Sequence, residues 1–116
     1  MQKKNVNFRD SKDSKNSEND GKEKISVLLL VTGKVQGVYF RFNLQQIAKK
    51  NSVVGWVRNL PDGRVEALLE GNKGDVDKVI EWSKMGPENA RVDEVKTDYL
   101  QYEGKFSDFI IQHDEP

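Results

Sequence analysis

Residues 33–41 (GKVQGVYFR) combine two features that a phosphate-sized anion needs. Gly33 and Gly37 let the backbone turn tightly and bring successive N–H groups toward one point. Phe40 and Arg41 open a helical pattern, and a helix start presents unpaired N–H donors and the positive end of the macrodipole. Together they would make a nest of amides at a helix N-terminus, which is a small anion site. Arg41 stands in the first turn, where its charge opposes the dipole unless a bound anion compensates. Its planar fork can hold such an anion bidentately. Taken alone the loop is a weak signal, because glycines also serve ordinary turns. It is not a nucleotide P-loop, since the GxxxxGK[ST] pattern is absent.

Asn59 is the second candidate. It stands beside Pro61-Asp62-Gly63, and an asparagine before a turn ordinarily bonds the turn's own backbone. Other chemistries are excluded by composition. The 116 residues contain no cysteine, which removes disulfides, thiolate nucleophiles and thiolate metal sites. The single histidine, His113, cannot make a histidine-pair metal site and reads as an exposed residue outside any site. Asp93 and Glu94 are neighbours on a strand pattern, so they point to opposite faces and form no carboxylate pair. No Ser-His-Asp arrangement is visible. Lys34 and Arg58 read as solvated charges, and Val54 and Trp56 as core.

Lys plus Arg equals Asp plus Glu at 19 each. A balanced chain lacks the cationic excess that displaces counterions from nucleic acid, so no nucleic-acid partner is expected. The longest apolar run, residues 27–31, is far below the roughly 20 residues that cross a bilayer. The N-terminus has no apolar secretory core. A soluble, cytoplasmic protein with no membrane partner is expected. Residues 1–24 are so poor in apolar side chains that they cannot offset ordering at roughly 1–2 kcal/mol per residue. They are expected to be a disordered polar tail, with the folded domain in residues 25–116.

The elements that must position Arg41 and Asn59 follow from periodicity. Residues 25–32 (ISVLLLVT) read as a buried strand. Phe40, Leu44, Ile47 and Ala48 form one stripe of an amphipathic helix, closed by Lys49, Lys50 and Asn51. Residues 53–60 and 64–70 flank the Pro-Asp-Gly turn as a hairpin. Gly71 to Gly74 is expected to break the second of these strands. Val76, Val79, Ile80 and Ser83 mark a second helix ending at Gly86-Pro87. Residues 91–100 form a weaker strand and residues 106–112 a last one. The predicted fold is α+β: a ferredoxin-like βαββαβ sandwich. It has an antiparallel sheet, two helices on one face and a short extra C-terminal strand.

Two stretches then resemble a known family. Residues 32–41 (TGKVQGVYFR) are similar to the first signature of the acylphosphatases, and residues 55–71 (GWVRNLPDGRVEALLEG) to the second. The similarity extends over residues 26–111, with the signatures in the expected order and separation. It implies an acylphosphatase: an enzyme that hydrolyses acyl phosphates to carboxylate and inorganic phosphate. Carried over by position, Arg41 would bind the phosphate as the catalytic arginine and Asn59 would orient the attacking water. The loop amides of Gln36, Gly37, Val38, Tyr39, Phe40 and Arg41 would form the phosphate cradle. No metal and no cofactor are implied; the partner is a small acyl phosphate, and the chain is expected to act as a monomer.

Tyr39 departs from the family pattern, where a small residue is frequent, which bears on rate and substrate preference. Two other readings stand beside the enzyme. One is a domain of this family that binds phosphate or a carbamoyl-type ligand without turnover, the kind carried by larger hydrogenase-maturation proteins. The other is an RNA-recognition domain of the same topology, which the aliphatic first strand disfavours, since such domains stack bases on aromatic side chains.

Overall fold

The computed structural model describes residues 22–113. The elements run β1 (Lys24–Lys34), α1 (Phe40–Lys50), β2 (Val54–Asn59), β3 (Val65–Asn72), α2 (Lys73–Ser83), β4 (Arg91–Leu100) and β5 (Phe109–Ile111). They build the expected ferredoxin-like α+β fold, with sheet order β4-β1-β3-β2-β5.

Alternation along the strands divides the sheet into two faces. Val27, Leu29 and Val31 pair with Leu69, Ala67 and Val65, and Val57 lies opposite Ala67. All of these are fully buried, in one core with Phe40, Leu44 and Ala48 of α1 and Val76, Val79 and Ile80 of α2. The rings of Phe40 and Trp82 join the two helices, with centroids 5.3 Å apart. Both helices therefore cover one face, as the periodicities predict. The other face carries Trp56, which is half-buried rather than core, with the Arg58 guanidinium 5.1 Å above its ring. Arg58 is in turn paired with Glu66 at 2.7 Å.

One expectation is corrected. The sheet is mixed, because β5 pairs parallel with β2 while every other pair is antiparallel. The direction follows from the connection. β4 delivers the chain to the end of the sheet at which β2 begins, and residues 101–108 carry it to the opposite edge. From there β5 can only run the way β2 runs. The strand is also shorter than the predicted 106–112.

Two boundaries shift for a similar reason. Gly71 does not break β3, because Ile25 and Lys24 pair with Gly71 and Asn72 and hold the strand extended. The Lys73 N–H then donates to the Glu23 carbonyl at 2.7 Å, so α2 starts directly afterwards and includes Gly74. Lys24 is thus the first residue of β1. Residues 1–21 of the expected disordered tail lie outside the described residues, as do residues 114–116. Among the described residues no helix is long and apolar enough to cross a membrane.

Gly55 shows how tightly β2 is seated. Its φ is +135°, and a Cβ there would lie 1.9 Å from the Leu68 carbonyl oxygen. A methyl group cannot be accommodated without moving β2 off β3. Gly55→Ala is expected to cost about 2–4 kcal/mol. For a domain of this size that is a fall in Tm of more than about 10 °C, read by thermal unfolding.

Candidate active site

The loop between β1 and α1 ends in a strained residue. Tyr39, the residue preceding α1, has φ 64° and ψ 26°, in the left-handed region that few side chains adopt. No side chain caps α1, and its first turn contains no acidic residue. Among the described residues, the N–H groups of Gly37, Val38, Tyr39 and Phe40 find no acceptor. A helix start left this way has its positive end and its donors open to an anion. Gly37 sits within this run at φ +74°, with open space where a Cβ would be.

The side chains of the expected cradle have separate tasks. Phe40 and Val38 are buried in the core and anchor the loop from below. The Gln36 amide donates from Nε2 to the Leu60 carbonyl at 2.8 Å and to the Arg64 carbonyl at 2.9 Å. It therefore ties the β1–α1 loop to the β2–β3 turn and fixes the two halves of the site relative to each other. Tyr39 is 78% exposed, so its side chain stands at the surface of the cavity it lines.

Arg41 is half-buried, and its Nη1 donates to the Gln112 carbonyl at 3.2 Å. Asn59, at the end of β2, is half-buried too, and its Oδ1 is buried without a hydrogen-bond partner. The turn after it does not depend on it. Leu60 N–H donates to the Arg64 carbonyl and Gly63 N–H to the Leu60 carbonyl. The Asp62 carboxylate accepts from the Arg64 backbone N–H at 3.1 Å and from its Nε at 2.9 Å. The Arg64 side-chain hydrogen bond, aided by the backbone one, holds the Asp62 carboxyl below its ordinary 3.8. The ordinary explanation of an asparagine at this position is therefore supplied by another residue. An orphaned buried acceptor costs about 1–3 kcal/mol and asks for a functional reason.

Arg41, Asn59, Gly37 and Tyr39 line one cavity of about 400 Å³. A family model for acylphosphatases matches residues 27–111. The chain belongs to the acylphosphatase family. An acylphosphatase of Pyrobaculum islandicum is 53% identical over 90 residues, covering 77% of this chain and 95% of that one. The solved acylphosphatase of Coxiella burnetii superposes with a TM-score of 0.74 at 34% identity, covering 78% of this chain and 95% of that one. That of Bacillus subtilis gives 0.74 at 33% identity, covering 76% and 98%. Acylphosphatases hydrolyse acyl phosphates, and this chain is an enzyme of that class.

The acylphosphatase cavity also contains residues that sequence reasoning left out. Phe42, Ile111 and His113 line it. His113 is exposed, as expected, yet it is not remote from the site. The parallel pairing explains this. Val57 lies opposite Ile111, and Gln112 N–H donates to the Val57 carbonyl at 2.8 Å. The chain beyond β5 therefore advances alongside β2 toward Asn59; an antiparallel strand would have carried it away. The direction of that last pairing was the signal, and residue types alone do not encode it.

Proposed function

We propose that the Arg41 guanidinium and the loop amides of Gln36, Gly37, Val38, Tyr39, Phe40 and Arg41 hold the phosphoryl group of an acyl phosphate, and that Asn59 holds the attacking water. The water oxygen bonds to phosphorus as the bond from phosphorus to the acyl oxygen breaks. That oxygen leaves with the electron pair as a carboxylate, and the water's proton passes to a phosphate oxygen. The leaving group has a conjugate acid with a pKa of about 4, so it departs without a general acid. A loose phosphoryl-transfer transition state asks mainly for positioning and charge stabilisation. The guanidinium and the amides can supply the charge, and Asn59 the position. The chemistry then needs no metal or cofactor, and a single copy of the chain in the cytoplasm suffices for it.

The observation that carries this reading is the shared cavity. One pocket brings a guanidinium and an uncapped helix start together with a buried acceptor that has no partner. The test is hydrolysis of benzoyl phosphate, followed by absorbance in a buffer containing EDTA. Turnover is expected, inhibited competitively by inorganic phosphate. Because phosphate binds the native state, it should also raise Tm, with about 2.7 kcal/mol of stabilisation at a hundred times its dissociation constant. A folded protein that binds phosphate but turns over no acyl phosphate would make it a binding domain instead.

A further inference from the structure

The cavity lined by Arg41 and Asn59 shares lining residues with two other hollows. On one side it shares Asn59 and His113 with a hollow that runs along Gln36, Leu60 and Pro61. On the other it shares Tyr39 and Phe42 with a larger groove of about 760 Å³, whose apolar wall is Val38, Trp82 and Pro87 and whose polar edge is Asn43, Glu88 and Asn89. Asn59 does not line that groove. In an in-line displacement the attacking and leaving oxygens lie on opposite sides of phosphorus. With water held at Asn59, the acyl oxygen departs on the side away from it, and of the two hollows only the groove at Tyr39 and Phe42 is not lined by Asn59.

The groove has the character of a site for an apolar group. Tyr39 is 78% exposed and Phe42 53% exposed, and both line the cavity of Arg41 and Asn59 as well as the groove. Aromatic surface shown to water beside convergent polar groups is typical of ligand pockets. The left-handed conformation of Tyr39 costs backbone strain at a residue that lines both the cavity and the groove. Glu88 supplies an acidic group, and among the described residues no lysine or arginine lines this groove.

We propose that this groove is the acyl subsite, and that it selects acyl phosphates with a large apolar, preferably aromatic, acyl group. A second anionic group at the far end of the acyl chain is disfavoured by the Glu88 carboxylate. The proposal rests on the assignment of water to Asn59.

The test compares kcat/KM for acetyl, benzoyl and succinyl phosphates in the wild type, Phe42→Ala and Glu88→Lys. Ratios between substrates within each protein, compared across proteins, cancel their intrinsic reactivities. Phe42→Ala should lower the benzoyl-to-acetyl ratio by about five- to tenfold, the scale of losing part of an apolar contact. Glu88→Lys should raise the succinyl-to-acetyl ratio by about tenfold, a charge reversal near the distal carboxylate. Both positions are at the surface, and unchanged Tm values confirm folding. If the wild type hydrolyses all three while both ratios stay within about twofold, the groove is not the acyl subsite and the hydrolase reading stands. If no acyl phosphate is turned over, the assignment of water to Asn59 fails and the acyl subsite fails with it.

Discussion

Arg41→Gln is expected to abolish acyl phosphate hydrolysis while leaving Tm within a few degrees of the wild type. An arginine that neutralises phosphoryl charge in the transition state contributes on the order of 10³–10⁵ in rate. Among the described residues no other lysine or arginine lines the cavity of about 400 Å³, so none of them can compensate. The guanidinium also donates to the Gln112 carbonyl at 3.2 Å, which fixes its approach to the cavity. Glutamine retains an amide that can meet that carbonyl, and Arg41 is not part of the buried apolar core. The fold should therefore persist. Arg41→Lys is the sharper variant. Lysine keeps the charge but presents a point rather than a planar fork, so it cannot both bond the carbonyl and chelate two phosphate oxygens. It should lose nearly as much activity. A lysine variant that kept more than about a third of the wild-type kcat/KM would show that charge alone suffices, against the bidentate assignment. Phosphate titration by calorimetry on the same variants separates binding from turnover.

What could be read beforehand and what could not divides along local and non-local physics. The aliphatic run of β1, the Pro-Asp-Gly turn between β2 and β3 and the stripe Phe40, Leu44, Ile47, Ala48 are local patterns, and each formed the element it predicts. The place of the loop was legible for the same reason, since a glycine-containing stretch lies between a strand pattern and a helical stripe. The parallel pairing of β5 was not legible. A three-residue strand has no period to read, and its direction is set by where residues 101–108 leave it. His113 and Ile111 were missed with it, since only that direction brings them to Asn59. The side-chain role of Gln36 was hidden for a related reason. Its two acceptors, Leu60 and Arg64, lie 24 and 28 positions away. Asn59 could be read in two ways from its sequence context, and the Asp62–Arg64 bonds supply the turn chemistry that one of those readings assigned to it.

Asn59→Ala separates those two readings by moving activity and stability in different directions. If Asn59 holds the attacking water, its loss should lower kcat by about 10²-fold, since misplaced reacting groups cost rates of that order. Phosphate affinity should change little, because Arg41 and the loop amides remain. Stability should be unchanged or slightly higher. The buried Oδ1 has no partner among the described residues, and removing an unsatisfied buried acceptor relieves a desolvation cost instead of breaking a bond. A turn-capping asparagine would behave in the opposite way: Tm would fall, by the equivalent of about 1 kcal/mol, with activity largely kept. The measurements are kcat and KM on benzoyl phosphate, phosphate affinity by calorimetry and Tm by circular dichroism. A loss confined to phosphate affinity would make Asn59 a binding residue. Lost turnover without lost stability would mark a residue kept at some cost to the fold for the sake of the reaction, as strained or unsatisfied groups at functional sites often are.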